Sequence, residues 1–189
     1  MRIPDGQLRT VLDPPSTEWR SRPRLRDAAV LAPLFEQAGA DHVLYTRRRD
    51  DLKSHPGEIS FPGGGREGGE HALACALREC EEEIGLAPAA VDVLGRLPER
   101  PSIGGFYVHV FVGRLAAVDD LRIDPGEVAK LMSIPVAELM REERWEWRSV
   151  TRGHVRRQIP FFAHEGEMLW GLTGVLTQDL LARLGRSPA

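Results

Sequence analysis

Three glutamates, Glu79, Glu82 and Glu83, fall within five consecutive positions. On a helix, residues three and four apart are neighbours, so these like charges sit side by side at a cost of roughly 0.2–0.5 kcal/mol per pair. They also fall toward the C-terminal end of the expected helix, where the backbone dipole disfavours anions. A cluster kept against these costs asks for a counter-charge. Mg²⁺ or Mn²⁺, which prefer carboxylate and carbonyl oxygens, would supply one. A solvated acidic face explains the cluster alone equally well. The run Phe61-Pro62-Gly63-Gly64-Gly65 leads into the same helix. Glycines let the main chain approach a phosphate or a metal closely, and a helix N-terminus favours anions. Acidic helix and glycine loop together point to phosphate plus metal.

The helix that carries this chemistry is expected from about Glu70 to Ile84. Gly85 stands where a left-handed backbone would close it. At about 100° per residue, Leu73, Leu77, Cys80 and Ile84 share one narrow face that must be buried. Glu79, Glu82 and Glu83 share an arc turned well away from it. Short apolar runs at Ala28–Leu34, His42–Tyr45, Glu58–Phe61, Val91–Leu94, Phe106–Val112, Val128–Met132 and Ile159–Phe162 read as strands. Trp145 and Trp147, alternating with charges, suggest a further half-exposed strand. Val136–Met140 and Leu172–Leu184 read as helices. Strands interspersed with about three helices make a mixed α/β sandwich. Residues 1–26, rich in Pro, Arg and Asp and without a clear period, read as an N-terminal arm on a domain of residues 27–189.

The chain has 189 residues with 42% hydrophobic and 28% charged side chains, enough for one domain with a sizeable core. A net charge of −3 argues against a nucleic-acid coat. The first residues lack the apolar core of a signal peptide, and no run is apolar enough to span a membrane. Two cysteines, Cys75 and Cys80, are too few for a disulfide scaffold, so a reducing cytoplasm is expected. A zinc site built on His71 and these cysteines finds no further ligands.

The segment from Gly64 to Leu86 resembles the Nudix box. Its fixed positions are filled by Gly64, Glu70, Arg78, Glu79, Glu82, Glu83, Gly85 and Leu86. Cys80 stands where a bulkier aliphatic residue is usual, and a small hydrophobe still suits a core position. The resemblance implies a Nudix-type α/β/α sandwich with a mixed sheet and a loop-helix-loop catalytic motif. It implies a pyrophosphatase that directs water onto a phosphorus of a diphosphate with Mg²⁺ or Mn²⁺. Glu79, Glu82 and Glu83 would carry the metal, with the carbonyl of Gly64, and Glu70 and Arg78 would brace the motif as a pair. A general base falls to Glu79 or Glu82. Glu127, in Asp124-Pro125-Gly126-Glu127-Val128, is an outside candidate that reads first as an ordinary loop glutamate.

Upstream, Thr46, Arg48, Gly57 and Phe61-Pro62-Gly63-Gly64 resemble the extra motif of the coenzyme A pyrophosphatase branch. Lys53 stands where an arginine is usual, Tyr45 where a leucine is, and Arg49 where a small residue is. Trp170-Gly171-Leu172-Thr173 is similar to the start of that branch's last helix. This likeness implies hydrolysis of coenzyme A or acyl-CoA to 3′,5′-ADP and (acyl-)4′-phosphopantetheine, with Arg48, Lys53, His55 and Gly63 contacting substrate. The 3′-phosphate asks for extra cations, and Arg47, Arg48, Arg49, Lys53, Arg152, Arg156 and Arg157 are candidates, each also readable as a solvated surface side chain. His55 either touches phosphate or caps its loop. The expected partner is a small nucleotide, with no nucleic acid and no membrane, and a homodimer is compatible with the sequence. Another Nudix substrate (ADP-ribose, a dinucleotide or a nucleoside triphosphate) and a non-catalytic nucleotide-binding module are the competing readings. The intact glutamates argue against the module.

Overall fold

A computed structural model describes residues 1–152 and 155–185 of the chain. Apolar runs without alternation become strands buried on both faces, and Ala28 to Leu34 is such a run. It forms the middle of β1 (Arg26–Gln37). Ala28, Ala32 and Leu34 enter one core, while Ala29, Leu31 and Phe35 enter another on the opposite face. β2 (Ala40–Arg48) returns antiparallel through a turn at Ala38 and Gly39, both with positive φ. β3 (Ile59–Ser60) pairs with β2, and β4 (Gly63–Gly65) pairs with β1. β5 (Val91–Pro101) and β6 (Phe106–Leu115) form a hairpin, with β6 parallel to β1 from Arg26 to Leu34. β7 (Val128–Pro135) pairs with β2. These strands make one mixed seven-stranded sheet in the order β3-β2-β1-β6-β5, with β4 joined to β1 and β7 to β2.

Helices cover both faces of the sheet. On one, Cys75, Cys80 and Ile84 of α2 (Ala72–Ile84) pack against Ala29, Leu31 and Phe111. On the other, α1 (Asp5–Val11) brings Leu8, the short α3 (Val136–Leu139) brings Leu139, and α4 (Gly171–Arg183) brings Leu176, Leu180 and Leu181, all into one core with Leu34, Val110 and Val112. This is the expected α/β/α sandwich. A second sheet of β8 (Trp145–Arg152), β9 (Val155–His164) and β10 (Glu167–Leu169) adds Trp145, Phe162 and Leu169 to the α4 core.

The first residues differ from the sequence reading, which gave them no element. They contain α1, and Ile3, Leu8 and Leu12 are buried. This seven-residue helix fully buries one residue, Leu8, too few for a period to register. A buried ion pair fastens the segment. Arg114 lies 2.5 Å from Asp41, whose side chain is fully buried, and donates to the Ile3 carbonyl at 2.9 Å and to Asp5 at 2.9 Å. The Ile3 N–H donates to Asp41 at 2.7 Å.

Candidate active site

The glycine run is used where the backbone has no room. Gly63 has φ of 149°, and a Cβ there would collide with the main chain of Ala29 and Val30 in β1. A Cβ at Gly64 would collide with the carboxylate of Glu79. As β4 the glycine run therefore lies flat against β1 in the sheet, and the Glu79 carboxylate rests on it. The helix ends as the sequence predicts. Gly85 has φ of 67°, with Gly85 N–H donating to Glu81 at 3.0 Å and Leu86 N–H to Cys80 at 3.2 Å.

The buried face of α2 is not the one the leucines suggest. Ala72, Cys75, Ala76, Cys80, Glu83 and Ile84 are buried, whereas Leu73 and Leu77 are half-buried. Relative to the expected face, this is a rotation of roughly a quarter turn. Small side chains let the helix close onto the glycine strand β4, with the Cys75 thiol 3.4 Å from the Gly65 carbonyl. Two of the three glutamates are thereby carried inward rather than away from the core.

Glu83 is 5% exposed and accepts a hydrogen bond from the Gly63 N–H at 3.2 Å. Burial pushes its carboxyl up to about 7. The Gly63 bond and Arg48 oppose that shift, and Glu79 and Glu127 add to it. Glu79 is also raised, first by burial, against the pull of Arg78 at 3.0 Å. Glu127 is half exposed and shares Arg48 with Glu83, at 3.7 and 3.8 Å. Its position is set by two backbone bonds, Asp124 N–H to Glu83 at 2.8 Å and Arg122 N–H to Ile84 at 2.9 Å. These fasten the 122–127 loop to the end of α2. Glu79, Glu83, Glu127, Arg48, Gly63 and Gly64 all line one cavity of about 560 Å³. The sequence reading weighed Glu127 first as an ordinary loop glutamate; the signal for its place is the turn at Gly126, which a chain reading alone cannot aim.

Glu82 takes another direction. It is exposed, bonds Arg78 at 2.8 Å and does not line the cavity. The counter-charge for the cluster is thus partly internal, since Arg78 stands four residues before Glu82. Arg78 spans Glu70 at 3.0 and 3.1 Å, Glu79 at 3.0 Å, Glu82 at 2.8 Å and the Gly65 carbonyl at 3.1 Å. The expected pairing of Glu70 with Arg78 is present. Glu70 also accepts from the Glu67 N–H at 2.7 Å, which keeps it in the turn just ahead of α2.

The basic residues upstream are mostly committed elsewhere. Arg47 pairs with Asp50 and Glu167, and Arg49 with Asp51 and the Pro125 carbonyl. Lys53 is exposed and does not line the cavity. Arg156 bonds Ser149, Arg157 is exposed on β9, and the side chain of Arg152 lies outside the described residues. His55 lines the cavity, with Nδ1 2.7 Å from Glu58. The N–H of Gly63 is taken by Glu83. Arg48 is the one Lys or Arg among the described lining residues, and its Nε is buried without a hydrogen-bond partner among the described residues.

The residues present fit a divalent cation. Glu83 is nearly buried, is pushed up to about 7 and has only a distant arginine as counter-charge, so a cation beside it would relieve the cost of ionising it. Among the described residues no three His, Cys, Asp or Glu side chains already form a metal cage. Mg²⁺ asks for less, one or two carboxylates with retained waters and substrate phosphate oxygens, and Glu79 and Glu83 meet that demand.

Residues 25–153 match the NUDIX domain family. The chain is 35% identical over 156 residues to an uncharacterized Nudix hydrolase NudL of Photorhabdus laumondii, covering 82% of this chain and 83% of that one. It is 31% identical over 164 residues to its counterpart in Escherichia coli, covering 86% and 85%. Among solved structures, it is similar to a Nudix hydrolase from M. smegmatis, RenU, with TM-score 0.51 and 23% identity over 60% of this chain and 72% of that one. A MutT/nudix family protein from Enterococcus faecalis superposes with TM-score 0.55 and 14% identity over 89% and 64%. The likenesses to solved structures speak for the fold.

Proposed function

This chain belongs to the Nudix hydrolase family, and from that premise we propose that it hydrolyses the diphosphate bond of coenzyme A or acyl-CoA. The coarser class is hydrolysis of nucleoside diphosphate derivatives. The observation that carries the reading is one cavity in which Glu79, Glu83 and Glu127 face the glycine loop and Arg48. The motif that points to coenzyme A frames that cavity. Thr46 bonds Ser60 at 3.0 Å, Gly57 holds φ of 66° in the loop, and Arg48 reaches the carboxylates.

In the proposed reaction, water adds to one phosphorus and the bridging oxygen leaves with the other. The two products are 3′,5′-ADP and 4′-phosphopantetheine or its acyl form. Glu79, Glu83, Glu127 and the Gly64 carbonyl would hold the Mg²⁺ or Mn²⁺. When bound, the cation neutralises phosphate oxygens, acidifies the attacking water and stabilises the leaving phosphate. Of the two glutamates of the box weighed as base, Glu79 is the one that borders the cavity, and burial raises its carboxyl above the usual value, which strengthens it as a proton acceptor. Arg78 orients Glu79 from behind. Arg48 pairs with both Glu83 and Glu127 and would offer its guanidinium to a phosphate oxygen.

The test is a panel of coenzyme A, its 3′-dephospho form, ADP-ribose and a nucleoside triphosphate, each with Mg²⁺ and with EDTA. Coenzyme A should give the highest kcat/KM, release 3′,5′-ADP and stop in EDTA. A clear preference for ADP-ribose would overturn the coenzyme A assignment and leave the family unchanged.

A further inference from the structure

The helix that carries the glutamates does not hold its own beginning. His71, at the N-cap of α2, makes no side-chain capping bond, and the first turn contains no acidic residue. The free N–H groups at such an end need partners from elsewhere. One comes from far upstream, where the Thr17 carbonyl accepts the Ala72 N–H at 3.0 Å. Two residues on, the Trp19 indole N–H donates to the Glu70 carbonyl at 2.7 Å. Residues 14–25 form neither helix nor strand, yet they clasp positions 70 and 72, on either side of the N-cap. The Trp19 ring is itself held. It meets the buried His109 of β6 in a T-shaped contact, with 5.0 Å between centroids, and Arg66 lies over it at 5.2 Å. Arg20 donates its backbone N–H to His109 Nε2 at 3.2 Å. Ser21 and Arg66 both bond Asp27 of β1, at 2.6 and 3.3 Å. The segment is thus tied to the sheet on one side and to the start of α2 on the other.

We propose that Trp19 is a positioning residue for the hydrolysis, acting through Glu70 and Arg78 to set the Glu79 carboxylate on the glycine strand. Glu70 is where the bracing begins. Its carboxylate accepts from the Glu67 N–H and from Arg78, and Arg78 in turn bonds Glu79. The carbonyl that Trp19 fixes and the carboxylate that grips Arg78 belong to one residue, so freedom at the first becomes freedom at the second. Orientation errors well below the size of an atom are enough to slow a reaction that depends on placement. The inference rests on the diphosphate reading for its chemistry. Trp19 does not line the cavity, so its effect belongs to the geometry of the carboxylates and not to substrate contact. A packing role would need only the ring, and the N–H is where the two roles separate.

The experiment uses the full chain with Mg²⁺ and the best substrate among coenzyme A, ADP-ribose and a nucleoside triphosphate. Trp19→Phe keeps a ring and removes the N–H. Its kcat should fall about tenfold with KM within about twofold of the parent. Its melting temperature should drop by no more than about 4 °C. In a Glu70→Gln background the same change should cost less than about twofold in kcat, since the brace it serves is already weakened. Amide exchange in the metal-free protein gives a readout independent of substrate. The Glu67 N–H is bonded to the Glu70 carboxylate, so in Trp19→Phe exchange at Glu67 and Ala72 should quicken about tenfold while the amides of β6 keep the parent rates. Unchanged kcat in an active protein, full additivity with Glu70→Gln, or exchange that quickens uniformly or not at all would overturn the proposal. If the parent cleaves none of these substrates, the proposed function fails and exchange still decides. Local quickening at Glu67 then keeps Trp19 as the brace of the acidic motif, and its absence rejects that role.

Discussion

Two buried carboxylate–arginine groups in this protein have opposite finishes. Asp41 and Arg114 form a closed set, in which Asp41 takes the Ile3 N–H and Arg114, and Arg114 takes Asp41, Asp5 and the Ile3 carbonyl. Glu83 and Arg48 form an open one, held 3.8 Å apart, with the Arg48 Nε unpartnered among the described residues and Glu127 competing for the same guanidinium. A buried charge is tolerated when its hydrogen bonds are complete and costly when they are not. The first group is finished by the fold and fastens the N-terminal segment. The second is left for something from outside the chain to finish, and that difference separates architecture from chemistry more clearly than residue type does.

The comparison breaks most visibly at the closed pair. Arg114→Leu leaves Asp41 buried without its partner and should cost about 3–5 kcal/mol of stability, read as a lower urea midpoint. Turnover per folded molecule should stay near that of the parent. A variant as stable as the parent would show that the pair is not what fastens the first residues. At the open pair the effects should invert. Glu83→Gln keeps the size and removes the charge, so kcat should fall by about 10²–10³-fold while the metal-free protein becomes no less stable. Near-normal kcat at saturating Mg²⁺ would reduce Glu83 to an ordinary buried acid.

A smaller effect sharpens the contrast through pH. The Glu83 carboxyl is raised from 4.5 to about 7 by burial. Between those values the folded metal-free protein holds a proton that the unfolded chain has released. Its stabilising contribution is therefore present below pH 4.5 and is lost as pH rises through about 7, by roughly 3 kcal/mol in all. His109, buried and held below its usual value, tilts stability the other way. The measurement is therefore the difference between the parent and Glu83→Gln in EDTA across pH 4–8. That difference should grow with pH and shrink when Mg²⁺ is added. A difference independent of pH would mean that Glu83 is solvated in the folded protein.

Much of this arrangement could be read from the chain. Gly85 closes α2 because only a left-handed residue fits there, and Glu70 meets Arg78 across the first turns of the motif. The strands were readable because runs such as Ala28 to Leu34 have no polar interruption. The buried face of α2 was misread because Leu73 and Leu77 outweigh Ala72, Ala76 and Cys75 on any hydrophobic scale, yet close approach to β4 favours the small residues. Glu82 and Lys53 fell outside the cavity for a related reason: spacing along a chain gives neighbours, not direction. Glu127 entered it through backbone bonds to the end of α2, which no pattern of side chains announces.

The bond from Arg183 to the Val11 carbonyl, at 3.0 Å, joins positions 172 residues apart. As the chain leaves the ribosome, α1 emerges early, but its contacts wait for Asp41, then Arg114, and last for α4. Until then Ile3, Leu8 and Leu12 have only part of their core, and contacts this distant in sequence are slow to form. The sheet and the glycine-loop helix can assemble while the second layer is still incomplete. Synthesis should thus produce a one-sided intermediate that exposes the apolar face meant for α1 and α4. That exposed face is the state on which a chaperone, or aggregation, would act first.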